Sequence, residues 1–136
     1  MNTVVKTSAD TRPKLLLVDD EPTNLQVLRG ILQADYRLLY ARDGAKALEL
    51  AAAELPELVL LDVMMPGEID GIEACRRLRA DSDLREVPIV MLSAKGQVSD
   101  RLAGMAAGAN EYVVKPFEPA LLQQVVQRLT ADGGRT

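Results

Sequence analysis

Four polar patches stand at the ends of apolar runs. They are Asp19-Asp20-Glu21 after Leu15 to Val18, Asp62 after Leu58 to Leu61, Ser93 after Ile89 to Leu92, and Lys115-Pro116 after Tyr112 to Val114. Each run has the length and composition of a buried strand. If the strands are parallel neighbours, their carboxyl ends share one edge of a sheet. Several carboxylates, a hydroxyl and an ammonium then meet in one crevice. Carboxylates gather in this way mainly to hold a hard cation. The lysine and hydroxyl beside them point to an anion that joins the cation, and phosphate is the obvious one.

Each residue has a plainer reading. One aspartate before Pro22 is a helix cap, but Asp19-Asp20-Glu21 repels itself and calls for a cation, with Mg2+ expected. Asp62 could merely end a strand in a turn. Its functional reading is a carboxylate nucleophile that accepts a phosphoryl group. Ser93 reads as a phosphate contact and Lys115 as the counter-ion. A cis Lys115-Pro116 bond would turn the chain sharply and aim the ammonium into the crevice. Tyr112 reads as half-buried packing, Met64 and Met65 as loop packing, and Cys75 as a small core hydrophobe.

The composition narrows the classes. The 136 residues fit one domain, 48% hydrophobic and 26% charged, with a formal net charge of −4. No basic stripe is visible, which disfavours direct nucleic-acid binding. No apolar run approaches the roughly 18 residues needed to span a bilayer, and Met1 to Arg12 lacks an apolar signal core. The single cysteine forms no internal disulfide, in keeping with a cytoplasmic location. The chain has no histidine, so Ser-His-Asp triads, His-ligated zinc and internal phosphohistidine chemistry are excluded.

The elements that must position these groups alternate along the chain. Strands are expected at 14–18, 36–41, 58–61, 87–92 and 111–114, and helices at 22–33, 44–53, 71–80, 98–107 and 119–130. This alternation predicts an α/β fold, a doubly wound parallel sheet with helices on both faces. Ligands bind such sheets outside the carboxyl ends of the strands, where the four patches lie. Residues 1–12 and 131–136 read as flexible tails around a domain at 13–130. The helix at 98–107 is rich in Ala and Gly and is expected to be the least firmly packed. The stripe Leu121, Leu122, Val125, Val126 and Leu129 is wider than one buried face needs. Part of it is either exposed for docking or all of it is core.

The motifs Leu-Val-Asp-Asp-Glu at 17–21, Leu-Leu-Asp-Val-Met-Met-Pro-Gly at 60–67, Val-Met-Leu-Ser-Ala at 90–94 and Tyr-Val-Val-Lys-Pro-Phe at 112–117 resemble those of the receiver domain of two-component response regulators. The resemblance covers nearly all of Lys14 to Thr130. It implies a five-stranded flavodoxin-like (βα)5 sheet in the order 2-1-3-4-5. It implies that Asp62 is phosphorylated by a partner histidine kinase or histidine phosphotransfer protein. Mg2+ would be held by Asp20, Asp62 and the carbonyl of Met64, with Asp19 acting mainly through water. Lys115, Ser93 and the amide of Ala94 would hold the phosphoryl oxygens, with Ser93 and Tyr112 as switch residues. The fourth helix, fifth strand and fifth helix would form the surface that contacts an output domain or effector, or a second copy. On this reading the chain is a signalling phosphoacceptor with only self-phosphotransfer and autodephosphorylation activity, not an enzyme acting on other substrates. The positions of Met64 and Lys95 tune dephosphorylation in this family, and the pair implies a phosphorylated state that is not very short-lived. The alternative is a haloacid dehalogenase-like Mg2+-dependent phosphatase, whose nucleophile lies in Asp-x-Asp after the first strand. The loop Pro66 to Gly71 is one residue longer than the common form, which leaves its course near the metal open.

Overall fold

The computed structural model describes residues 10–135. Five strands alternate with five helices: β1 (Lys14–Val18), α1 (Pro22–Leu32), β2 (Arg37–Ala41), α2 (Gly44–Glu54), β3 (Leu58–Asp62), α3 (Gly71–Ala80), β4 (Ile89–Ser93), α4 (Val98–Ala107), β5 (Glu111–Val114) and α5 (Pro119–Arg135). All pairings are parallel, in the order β2-β1-β3-β4-β5. This is the doubly wound flavodoxin-like order expected from the sequence.

The period-2 rule divides the core. Leu16, Val18, Val59, Leu61, Ile89 and Met91 face α2, α3 and α4, together with Ala47, Ala51, Cys75 and Leu78. Leu15, Leu17, Leu58, Leu60, Val90 and Leu92 face α1 and α5, against Leu25, Leu28, Leu32, Leu122 and Val126. Strands β3 and β4 are buried on both faces throughout, which explains why they read as continuous apolar runs. β2 and β5 are the edges and are less buried.

Asp43 and Asp70 start α2 and α3 by accepting the backbone N–H of Lys46 and Glu73. Pro22 opens α1, where its missing N–H costs nothing. α4 buries only Gly104 and Ala107, while Val98, Leu102 and Met105 are exposed. That is the weak packing expected of it.

Several sequence-based boundaries move. β4 begins at Ile89 rather than 87, after Pro88, which cannot donate to the ladder. α5 continues to Arg135 instead of ending at Thr130, since no proline interrupts it. The C-terminal tail expected at 131–136 is therefore helical through Arg135. Part of the N-terminal tail is also anchored: the Arg12 guanidinium donates to the Gln33 carbonyl at 2.8 Å, an orphan group at the end of α1. Arg37 Nε donates to the Arg12 carbonyl at 3.0 Å. Residues 1–9 of that expected tail lie outside the described residues. The α5 stripe is mainly core, with Leu122 and Val126 fully buried and Leu121 half exposed.

Candidate phosphoryl and metal site

The four patches meet at the carboxyl edge of the sheet. Asp62 ends β3 opposite Leu92, and Ser93 pairs with Val114 one step further along. Asp19 and Asp20 follow β1, which lies on the other side of β3. Carboxylate oxygens of Asp19, Asp20 and Asp62 lie within 4.8 Å of one another. Asp19 and Asp62 are buried and Asp20 is half-buried.

Lys115 is the cation facing this cluster. Its Nζ lies 3.4 Å from Asp19 Oδ2 and 3.7 Å from Asp62 Oδ1. The Lys115-Pro116 bond is cis, as expected from the sequence. The Lys115 backbone N–H donates to the Ser93 carbonyl at 2.7 Å, which ties the end of β5 to the end of β4. Asp19 Oδ1 accepts from the Glu21 N–H at 2.9 Å and from the Asn24 side chain at 3.4 Å. Asp62 Oδ1 accepts from the Met64 N–H at 3.3 Å. Among the described residues, the Asp20 carboxylate has no hydrogen bond or ion pair within the chain.

Charge counting shows what the cluster lacks. Among the described residues, three carboxylates face one ammonium, which leaves two negative charges in a largely buried crevice. The Asp62 carboxyl responds by rising to about 6, first because burial disfavours its charge and then because Asp19 repels it. Lys115 and the Met64 amide pull in the opposite direction. A hard, oxygen-seeking dication is the group this donor set fits.

Ser93 is fully buried, and its Oγ accepts from the Lys95 N–H at 3.0 Å. Tyr112 is buried rather than half-buried, and its hydroxyl donates to the Lys95 carbonyl at 2.8 Å. Tyr112 is thus joined to the site through the backbone of one residue, Lys95. Ala94 is exposed beside Lys115 and Pro116 on the wall of a cavity of about 410 Å3 that reaches Asp19, Asn24 and Phe117. The side chain of Met64 is half exposed. Cys75 is buried between α3 and α4, its Sγ donating to the Ala107 carbonyl.

The longer loop is anchored at two points. Gly67 takes φ 99°, and the Ile69 side chain packs into the core against Gly44. Gly71 sits directly against the backbone of Asp62 and Val63, where a Cβ would fall 2.6 Å from Val63 Cα. Sequence reasoning missed Gly71 and Asn24 as supports of the site. The signal for Asn24 was its place in the first turn of α1, five residues after Asp19.

A family model described as response regulator receiver domain matches residues 15–127. The chain belongs to this receiver family. The receiver domain is 40% identical over 118 residues to response regulator PleD of Caulobacter vibrioides, covering 86% of this chain and 26% of PleD. It matches the chemotaxis protein CheY4 of Vibrio cholerae with a TM-score of 0.82 and 33% identity, covering 88% of this chain and 99% of that one. It also matches the receiver domain of sensor histidine kinase PA1611 of Pseudomonas aeruginosa, with a TM-score of 0.82 and 35% identity over 89% of this chain and 99% of that one. That structure has magnesium coordinated in its active-site cleft. The chain spans about half or less of the curated relatives it matches. Nothing favours the haloacid dehalogenase alternative, since the isolated aspartate ends β3, not β1. Among the described residues, no helix is long and apolar enough to cross a membrane.

Proposed function

We propose that Asp62 is the phosphoacceptor of this receiver domain, charged by the phosphohistidine of a partner kinase or phosphotransfer protein in the cytoplasm. The observation that carries this reading is the cluster of Asp19, Asp20 and Asp62 around the ammonium of Lys115, an excess of two negative charges among the described residues. Asp19, Asp20, Asp62 and the carbonyl of Met64 would hold Mg2+. Once bound, the ion supplies positive charge against the phosphoryl oxygens. An Asp62 carboxylate oxygen attacks phosphorus, and the bond from phosphorus to the donor atom breaks with its electron pair leaving on the donor. Lys115, the Ser93 hydroxyl and the Ala94 N–H are the donors to the phosphoryl oxygens. Attack of water on phosphorus returns Asp62 and releases inorganic phosphate.

The α4, β5 and α5 surface is the readout for an output domain or effector, or for a second copy. The exposed Val98 and Leu102 support that role, at 71% and 63% exposure. The test is intact mass after incubation with acetyl phosphate. Wild type with Mg2+ gains one phosphoryl group. Asp62→Asn does not, and neither does wild type in excess chelator. An equal gain in Asp62→Asn contradicts the assignment.

A further inference from the structure

We propose that Gly104, in the middle of α4, sets the resting position of Tyr112 and through it the position of the Lys95 backbone. Its consequence for phosphorylation rests on the reading of Asp62 and Ser93 above; the packing itself does not.

A Cβ at position 104 would lie 2.8 Å from Tyr112 Cδ2, 3.1 Å from Tyr112 Cε2 and 3.0 Å from Met91 Sδ. Carbon atoms do not pack so closely, so the inward ring and a side chain at 104 compete for one slot. Met91 lies in β4 and is fully buried, so its side chain can shift only within the core. The ring can move outward, because β5 is an edge strand and the tyrosine hydroxyl reaches the β4–α4 loop. Arg101, one turn earlier on α4, places its guanidinium carbon 5.7 Å from the ring centroid and donates to the Tyr112 carbonyl at 3.4 Å. Glycine is a poor choice for a helix interior on propensity alone. Here its missing Cβ is the space the ring occupies.

The backbone of Lys95 has two partners, one on each of the two peptide groups that flank its Cα. Its N–H donates to Ser93 Oγ and its carbonyl accepts from Tyr112. A ring held inward therefore pins the carbonyl of the residue whose N–H also holds the Ser93 hydroxyl. Gly104 gives this chain that arrangement before any phosphoryl group arrives. A side chain at 104 drives the ring out, frees the Lys95 carbonyl and loosens the segment from Ser93 to Lys95.

Tyr36→Phe with Tyr40→Phe leaves Tyr112 as the only tyrosine. In that protein, acrylamide quenching of tyrosine fluorescence is measured without a phosphodonor. Quenching is expected to be weak with Gly104, to rise several-fold with Gly104→Ala, and to stay weak with Gly30→Ala, where a Cβ meets nothing within 4 Å. Hydrogen exchange at the Lys95 amide is expected to speed up only in Gly104→Ala. Strong quenching in the Gly104 protein overturns the proposal even if Gly104→Ala fails to fold, and so does a folded Gly104→Ala that quenches like Gly30→Ala. A chain that takes no phosphoryl group would defeat the reading of Asp62 and leave these unphosphorylated measurements decisive for Gly104.

Discussion

Asp62 carries its charge at a cost. Burial and the neighbouring Asp19 lift its carboxyl to about 6 in the metal-free protein, against roughly 3.9 in an unfolded chain. Between those values the folded state holds a proton that the unfolded state has released. Stability from this group is therefore greatest at low pH and is lost as pH rises through about 6. Asp62→Asn removes the penalty. With chelator present, the variant is expected to exceed wild type by about 1–3 kcal/mol at pH 7.5 and to match it near pH 4. Urea denaturation at the two pH values checks this, and an equal difference at both would contradict it. The gathering of these polar groups at one sheet edge was legible because type and position agreed: Asp19, Asp20, Asp62, Ser93 and Lys115 each follow a run of strand character. Asn24 was not, because an amide in the first turn of a helix is ordinary until the fold brings it to Asp19.

At the scale of elements, two glycines show how differently the same residue is used. Gly71 begins α3 against the backbone of Asp62 and Val63, which has no flexible side chain to yield. Gly71→Ala is expected to destabilise the domain by about 2–4 kcal/mol through overpacking and a displaced β3 end. Gly30 lies on the exposed face of α1 with open space around it. Gly30→Ala is expected to stabilise by up to about 1 kcal/mol, the helix-propensity difference. Thermal unfolding of both variants decides, and the same sign for the two would contradict this packing. The sequence already showed α4 as the weak helix, from its small residues. It could not show that its larger residues, Val98, Leu102 and Met105, point outward, or that Gly104 makes room for a ring from β5. Those facts depend on how the helix is rotated on the sheet, which a short amphipathic pattern leaves loosely determined.

For the whole molecule, a sheet buried on both faces holds a polar edge in place. The central strands fix Asp62 and Ser93 with backbone ladders, so the site needs little reinforcement of its own. The architecture was legible because alternating elements and right-handed crossovers leave few options, and the strand order followed from the resemblance of the motifs to receiver domains. The chain ends were not legible. Arg12 is anchored by a carbonyl 21 residues away, and α5 continues through Gly133 and Gly134, in the stretch expected to be a flexible tail. The most direct test of Asp62 as phosphoacceptor is to locate the bond. The protein is treated with acetyl phosphate and Mg2+, reduced with borohydride, which converts an aspartyl phosphate to homoserine, and mapped by peptide mass spectrometry. Homoserine at position 62, absent when the donor or the metal is withheld, is the expected result; homoserine at Asp19, Asp20 or another carboxylate, with Asp62 unmodified, would contradict it.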